Sequence, residues 1–408
     1  MRLQLQPGDL TCRAAEISNA AKSGYLQLDL EPGRYTLGRG SDSGLARHAG
    51  LYFEGVERVD ISAYGAVIEQ AVDDGADFFA IHVKDSGQVR VRGLEGDGQH
   101  RGSNEQTHFL QLSDVEDVDV VDLTARNMKG DGVKLVSYNG RGRRLCLDRI
   151  RCFDNGRSGV TIHSGYEDVF LSKFFGKGNK DQSIDFEPPA GHLPRAVTLR
   201  DVVIEHESSQ IGLTLSSAVD GIVLDNVVIK NGLLHAVNVR DIRARGLCVY
   251  GGVRAKGPMG SLFGKELKSG RFTDCHFEAA RGSNGESTAA GLKIEWHLQD
   301  DKSVEDLHFD RTNFIGHHGL LMSTGVKQLH LTGCRSIAHN AHQGYGYAIH
   351  SQASTYTDML RMDACRATSF EAGLSVSNAE GLVTALRTPD CVQSTVLRAN
   401  TDNLDFDL

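Results

Sequence analysis

Two carboxylates at alternate positions of one short strand are the residues of this chain best suited to chemistry. They are Asp185 and Glu187, in Ser183-Ile184-Asp185-Phe186-Glu187-Pro188-Pro189. Alternate residues of a strand share a face, with Cα atoms about 6.5–7 Å apart. Paired carboxylates at that spacing suit general acid and base work on a glycosidic bond, by retention or by inversion. One of them needs a raised pKa, and a neighbouring carboxylate supplies the repulsion that raises it. Asp181 precedes this strand and Asp131 precedes an earlier one. The set Asp181, Asp185 and Glu187 also offers the oxygen ligands of a calcium ion, which is the one cofactor these residues suggest. On an ordinary exposed strand the same residues are only solvated charges. Here Pro188-Pro189 ends the ladder and opens a loop beside them.

The elements that must position this pair are repeats. Gly132-Val133-Lys134-Leu135 returns as Gly159-Val160-Thr161-Ile162-His163, as Ser183-Ile184-Asp185-Phe186-Glu187 and as Gly212-Leu213-Thr214-Leu215-Ser216. Ala236-Val237-Asn238-Val239-Arg240 and Gly291-Leu292-Lys293-Ile294-Glu295 continue the series. A strand-based period of two to three dozen residues indicates a solenoid, which stacks equivalent residues of successive turns side by side. The apolar pairs then point inward. One outward column reads Lys134, Thr161, Asp185, Thr214, Asn238 and Lys293, and the next reads Val136, His163, Glu187, Ser216, Arg240 and Glu295. His163 therefore stacks on Glu187 as an assisting group, with Asp181 beside the pair. Lys134, Thr161, Thr214, Asn238, Arg240 and Glu295 form the expected substrate-binding strip, with Tyr166 as a sugar-stacking ring. Lys134 and Arg240 can also serve as a lyase base or hold an acidic sugar.

Residues 9–23 carry Leu10, Ala14, Ile17 and Ala21 on one helical face, with Asp9 or Thr11 to cap the start and Gly24 to end it. A short amphipathic helix there covers the open end of a solenoid core. From residue 50 onward the pattern is strand and turn. The stretch 250–288 reads as a long loop excursion and 400–408 as an acidic tail. The whole of 1–408 is expected to be one all-β, single-stranded parallel β-helix of about eleven rungs.

The 46 glycines and 7 prolines suit many turns. The net charge of -9 without a basic stripe argues against nucleic acid or an anionic membrane as partner. Of the 8 cysteines, Cys146 and Cys152 share the segment 145–153, and Cys275, Cys334 and Cys365 each sit within an apolar-alternating run; with no CxxC pair, a ladder of interior thiols is favoured over disulfides or a zinc site. The start shows no apolar signal segment and no run reaches membrane-spanning length, which leaves the cellular location unknown.

The repeat, the opening helix, the segment Leu26-Gln27-Leu28-Asp29-Leu30-Glu31-Pro32-Gly33-Arg34-Tyr35 and the segment Ile184-Asp185-Phe186-Glu187-Pro188 resemble the pectin-lyase-like superfamily of right-handed parallel β-helices. The resemblance covers nearly the whole chain as a pattern of repeats. It implies a carbohydrate partner, and either hydrolysis or β-elimination of a polysaccharide or oligosaccharide, hydrolysis being favoured. The alternative within the same resemblance is a non-catalytic glycan-binding or structural β-helix, such as a phage tailspike or an adhesin, and tailspikes of this kind are homotrimers. Polygalacturonase signatures do not fit, because Asn400-Thr401-Asp402 lies in the tail with none of the later motifs after it. No pectate lyase arginine signature is present.

Overall fold

The computed structural model describes all residues except 41–47, 73–74, 102–103, 189–193, 217–219, 238, 252, 255–256, 259–260, 265–266, 281–289, 296–303, 352–355, 398–400, 402 and 408. The chain is nearly all β and folds as a parallel β-solenoid of about 13 turns, against about eleven expected from the repeat. Two compact units make up the chain, Met1–Ile204 and Glu205–Leu408. Asn238, Pro189 and Trp296 lie outside the described residues.

In the first unit the helix is shorter than its apolar pattern. A 3-10 turn at Thr11–Arg13 leads into an α-helix at Ala14–Ala21. Leu10, Ala14, Ile17 and Ala21 are all buried, and the Asp9 carboxylate accepts the Thr11 amide at 2.9 Å. Gly24 ends the segment at φ +90°, a conformation that costs a residue without Cβ least. The strands then pair in parallel and in register. Leu110, Val133, Val160 and Ile184 form one inward column, and Leu112, Leu135, Ile162 and Phe186 the next. All eight side chains are fully buried. Each such burial contributes about 1.5–3 kcal/mol, which is why the register cannot slip without turning the column outward.

The corners explain why short strands can stack without hairpins. In each turn a single residue takes positive φ at one equivalent corner. In the first unit these are Gly65, Gly93, Asp122, Arg149, Lys173 and Asp201. Most are not glycine, so each bend carries a backbone cost of order 1 kcal/mol. The amide exposed by the bend is used: Lys173 donates to the Arg200 carbonyl of the next turn at 3.0 Å.

In the second unit the same corner is held by Asn226, Gly246, Asp274, Arg311, Gly333, Ala364 and Ala385. Next to it stand Cys275, Thr312, Cys334 and Cys365, each buried and each donating to the carbonyl two residues before it. All 8 cysteines are free. The core here includes stacked rings, with Phe272 on Phe309 at 4.9 Å and Phe277 on Phe314 at 6.0 Å. The 250–288 segment is less of an excursion than expected. Ser269–Thr273 and His276–Glu278 pair in parallel with the strands on both sides of them, and only Val253–Arg254 and Gly257–Pro258 form a separate antiparallel hairpin. Among the described residues, no helix is long and apolar enough to cross a membrane.

Among the described residues of the first unit, Asn179 is a buried side chain with four hydrogen bonds. Its carbonyl oxygen accepts from Asn155 Nδ2 at 2.9 Å and from the Asn155 amide at 3.3 Å. Its own Nδ2 donates to the Cys152 carbonyl and to Ser183 Oγ, each at 3.2 Å. Asn179→Ala is expected to lower the unfolding free energy by about 2–4 kcal/mol, since it leaves several buried partners unsatisfied. Urea denaturation measures this, and a change within about 0.5 kcal/mol of zero, the size of a neutral surface substitution, would contradict it.

Candidate active site

Three successive loops of the first unit, ending at Gly132, Gly159 and Ser183, deliver the site residues. The buried asparagines fix all three. Asn155 accepts the Met128 amide at 3.1 Å and is held in turn by Asn179, so the loops stack as the strands do. The glycines follow from this packing. A Cβ on Gly132 would lie 2.7 Å from the Gly159 carbonyl oxygen, and one on Gly159 would lie 2.6 Å from that of Ser183. In the third copy the serine hydroxyl itself takes an Asn179 hydrogen bond.

The register places Lys134, Thr161 and Asp185 in one column, and Val136 beside His163 in the next. The strand ends at Phe186, but the Glu187 amide still donates to the Ile162 carbonyl at 3.1 Å, which carries the parallel pattern one residue further. Asp185 is not on an open face. It is 1 % exposed, and its Oδ1 has no hydrogen-bond partner. Burial, then the charges of Glu187 and Asp131, push its pKa up to about 8, with Arg157 opposing them. Glu187 is exposed. Its charge acts on Asp185, Lys134, Arg157 and His163 alike. One strand thus holds a buried protonated carboxyl and, two residues on, an exposed one.

His163 is half-buried, edge-on to the exposed Tyr138 ring at 5.9 Å. Burial and then Lys134 lower its pKa, so it is a neutral imidazole at pH 7. Lys134 donates to Gln106 Oε1 at 2.9 Å and lies 3.4 Å from His108 Nε2. Burial depresses its ammonium below the usual lysine range. Asp181 is exposed, 4.0 Å from Arg157 Nε, with its amide on the Arg157 carbonyl.

Several expected binding residues do not present themselves to a ligand. Thr161 is 1 % exposed and Thr214 is 5 % exposed, so both are packed although they lie between the inward apolar residues of their copies. Tyr166 is fully buried, with Gly142 against its ring: a Cβ there would meet the ring at 2.7 Å. It is a packing residue and cannot stack on a sugar. Thr214, Arg240 and Glu295 belong to the second unit, where Glu295 is ion-paired with Lys293. Asn238 is outside the described residues.

The outward columns also miss a group of residues one column nearer the strand starts. His108, Asp131, Ser158 and Gln182 occupy equivalent positions there. The Ser158 amide donates to Asp131 Oδ1 at 3.0 Å and its hydroxyl to Gln182 at 3.2 Å. Asp131 is fully buried, and burial raises its pKa while Arg157 opposes the rise. His108 is also fully buried, and its Nδ1 accepts the Asp131 amide at 2.9 Å. That bond leaves Nδ1 without a proton, so the 3.4 Å approach of Asp131 Oδ2 joins two acceptors and is not an ion pair. Desolvation and the neighbouring cations keep His108 neutral. Arg157 Nε, 3.8 Å from Asp131 Oδ1, is the cation that balances the buried carboxyl groups. Stacking the residue two places before each apolar pair would have found this column in the sequence.

No protein-family model matches the chain, and no curated protein sequence does. Among solved structures it is similar to the A-module of the Azotobacter vinelandii mannuronan C-5 epimerase AlgE4, at 12% identity and a TM-score of 0.49, over 98% of this chain and 96% of that one. It is also similar to the catalytic domain of a GH87 alpha-1,3-glucanase in complex with nigerose, at 8% identity and a TM-score of 0.41, over 100% and 68% of the two chains. Tailspike protein 3 of bacteriophage CBA120 shows 11% identity and a TM-score of 0.39, over 96% and 59%. The parallel β-helix itself, with its stacked strands and repeated corners, is the architecture that the pectin-lyase-like resemblance implies.

The buried acid has a consequence for stability. An unfolded Asp ionises near 3.9, whereas folded Asp185 holds its proton to about 8. Between these values the unfolded chain releases a proton that the folded chain keeps, so folding stability falls as pH rises through that window and levels off above it. Asp185→Asn removes this loss. The variant should gain on the wild type between about pH 4 and about pH 8, by up to roughly 5 kcal/mol. Paired urea titrations at the two pH values measure it, and a difference independent of pH would contradict the assignment.

Proposed function

We propose that this chain cleaves glycosidic bonds of a polysaccharide or oligosaccharide by hydrolysis, with Asp185 as general acid and Glu187 as its partner. The observation that carries this reading is the division of labour within one strand. Asp185 is buried and raised to about 8, so it holds a proton at neutral pH. Glu187, two residues on, is exposed. A buried carboxyl that keeps its proton beside a second, exposed carboxyl is what acid-assisted glycoside cleavage requires. Asp185 is 1 % exposed, so the reaction requires its cover to part when substrate binds, and Asp185 then gives its proton to the departing glycosidic oxygen. Glu187 either draws a proton from the attacking water or attacks the anomeric carbon itself. Arg157 balances the charge left on Asp185, and neutral His163 and Asp181 border the pair as polar contacts for substrate.

One observation favours a second reading. Burial depresses the Lys134 ammonium. A lysine that gives up its proton readily is a base for abstraction beside a uronic carboxylate, and Arg157 is placed to neutralise that carboxylate. This reading makes the chain a polysaccharide lyase. A binding or structural β-helix predicts neither product.

A panel of neutral and acidic polysaccharides read for new reducing ends and for ultraviolet absorbance separates these readings. Hydrolysis gives reducing ends without absorbance, a lyase gives both, and a binding protein gives neither. On the active substrate, Asp185→Asn and Glu187→Gln should each lower kcat by at least about 100-fold with folding intact. The wild-type rate should fall as pH rises through about 8, where Asp185 loses its proton. Full activity in both variants would overturn the assignment.

A further inference from the structure

The second unit holds its own convergence of metal-ligating side chains. Val304–Asp310 and Val326–Thr332 are adjacent parallel strands, and His308 is in register with His330. Asp306 and His308 alternate along one strand and so share a face. His308 Nε2 lies 2.6 Å from Asp306 Oδ1, and the two imidazoles are stacked at 4.4 Å with their planes 2° apart. One ligand atom from each of the three residues lies within 4.8 Å of the others, and no other such group occurs among the described residues. All three side chains are half-buried.

We propose that Asp306, His308 and His330 bind a divalent transition metal of the zinc class. An Asp–His contact accounts for Asp306 and His308, but it gives no role to a second imidazole stacked parallel on the first. Two imidazole nitrogens and one carboxylate oxygen form a donor set for zinc that leaves a coordination position open. The nitrogens argue against calcium or magnesium, which take oxygen. Ligand atoms around tetrahedral zinc stand about 3.4 Å apart at bond lengths near 2.0–2.1 Å. The His308–Asp306 pair, 2.6 Å apart, therefore opens by about 0.8 Å, and separations of up to 4.8 Å to His330 close to about 3.4 Å, which partial rotation of half-buried groups allows.

Charge in the same column works against the ion and defines its surroundings. Arg271 pairs with His308 on one side and Arg361 with His330 on the other. Both arginines are exposed, so water screens their repulsion of the metal. Next to an open coordination position they favour an anionic co-ligand such as a carboxylate or phosphate. Ser269 and Gln328 flank Asp306 in its own column and complete the polar border.

Isothermal titration of zinc into the untagged full chain, stripped with chelator, tests the site, with elemental analysis for stoichiometry. A single zinc per chain is expected, and each of His308→Ala, His330→Ala and Asp306→Asn should weaken binding by at least about tenfold. Cobalt in place of zinc should give the intense visible bands of a tetrahedral site in the wild type and lose them in the variants. Circular dichroism identifies any variant that fails to fold, and the wild-type cobalt spectrum then decides. No uptake by the wild type, octahedral cobalt spectra, or undiminished affinity in folded variants would overturn the proposal.

Discussion

The hydrogen bonds between Asn155 and Asn179 are the interaction on which the candidate site depends. Both side chains are buried and make several hydrogen bonds, so neither can leave without orphaning groups on two turns. They tie the loops before Val133, Val160 and Ile184 into a stack with the same rise as the strands. Everything chemically unusual sits on those loops or on the first residues after them: Asp131, Arg157, Ser158, Asp181 and Asp185. A solenoid repeats its strands automatically, because inward aliphatic columns reward register. It does not repeat its loops unless something inside them also stacks. Here that task falls to the asparagine amides, and the glycines at 132 and 159 are the room they require.

With the loops fixed, the electrostatics follow from burial. Asp185 shares a neighbourhood with Asp131, Glu187 and Asp181, and Arg157 is the cation set against them. Low dielectric amplifies the repulsion among the carboxyl groups, and burial holds a proton on Asp185. The same burial keeps His108 and His163 neutral and loosens the proton of Lys134. A single cause, withdrawal of water from one patch of a strand face, therefore tunes acids upward and bases downward together.

Much of this was legible in the sequence, for a definite reason. Side chains alternate with period two and turns repeat with nearly constant length, so stacking the copies placed Lys134 over Thr161 over Asp185, and His163 next to Glu187. The register of the strands agrees with that map. What the pattern could not carry was depth. Alternation says which face a residue is on, not whether that face is covered, and so Thr161, Thr214 and Tyr166 read as binding residues although they are packed. Nor does strand alternation reach into loops. Gln106 and Arg157 lie before the strands, where only the asparagines keep the copies in phase. The Asp306, His308 and His330 group was missed because its strands, Val304–Asp310 and Val326–Thr332, belong to a different ladder from the aligned copies such as Ala290–Glu295.

The unpaired oxygen of Asp185 is the strongest argument that this patch is more than scaffold. A solenoid strand has an inexpensive residue for the middle of a covered face: threonine at 161 or an aliphatic would fill the column without a buried carboxyl. A buried Asp whose Oδ1 finds no donor costs of order 1–3 kcal/mol in desolvation, even when protonated. Nothing in the packing of its neighbours requires it, since Ile184 and Phe186 already fill the core on either side. Such a cost is tolerated where the group meets its partner only in a complex. A protonated carboxyl beside an exposed one, with its free oxygen unsatisfied, meets that description, and under the proposed function its partner is the glycosidic oxygen that takes its proton.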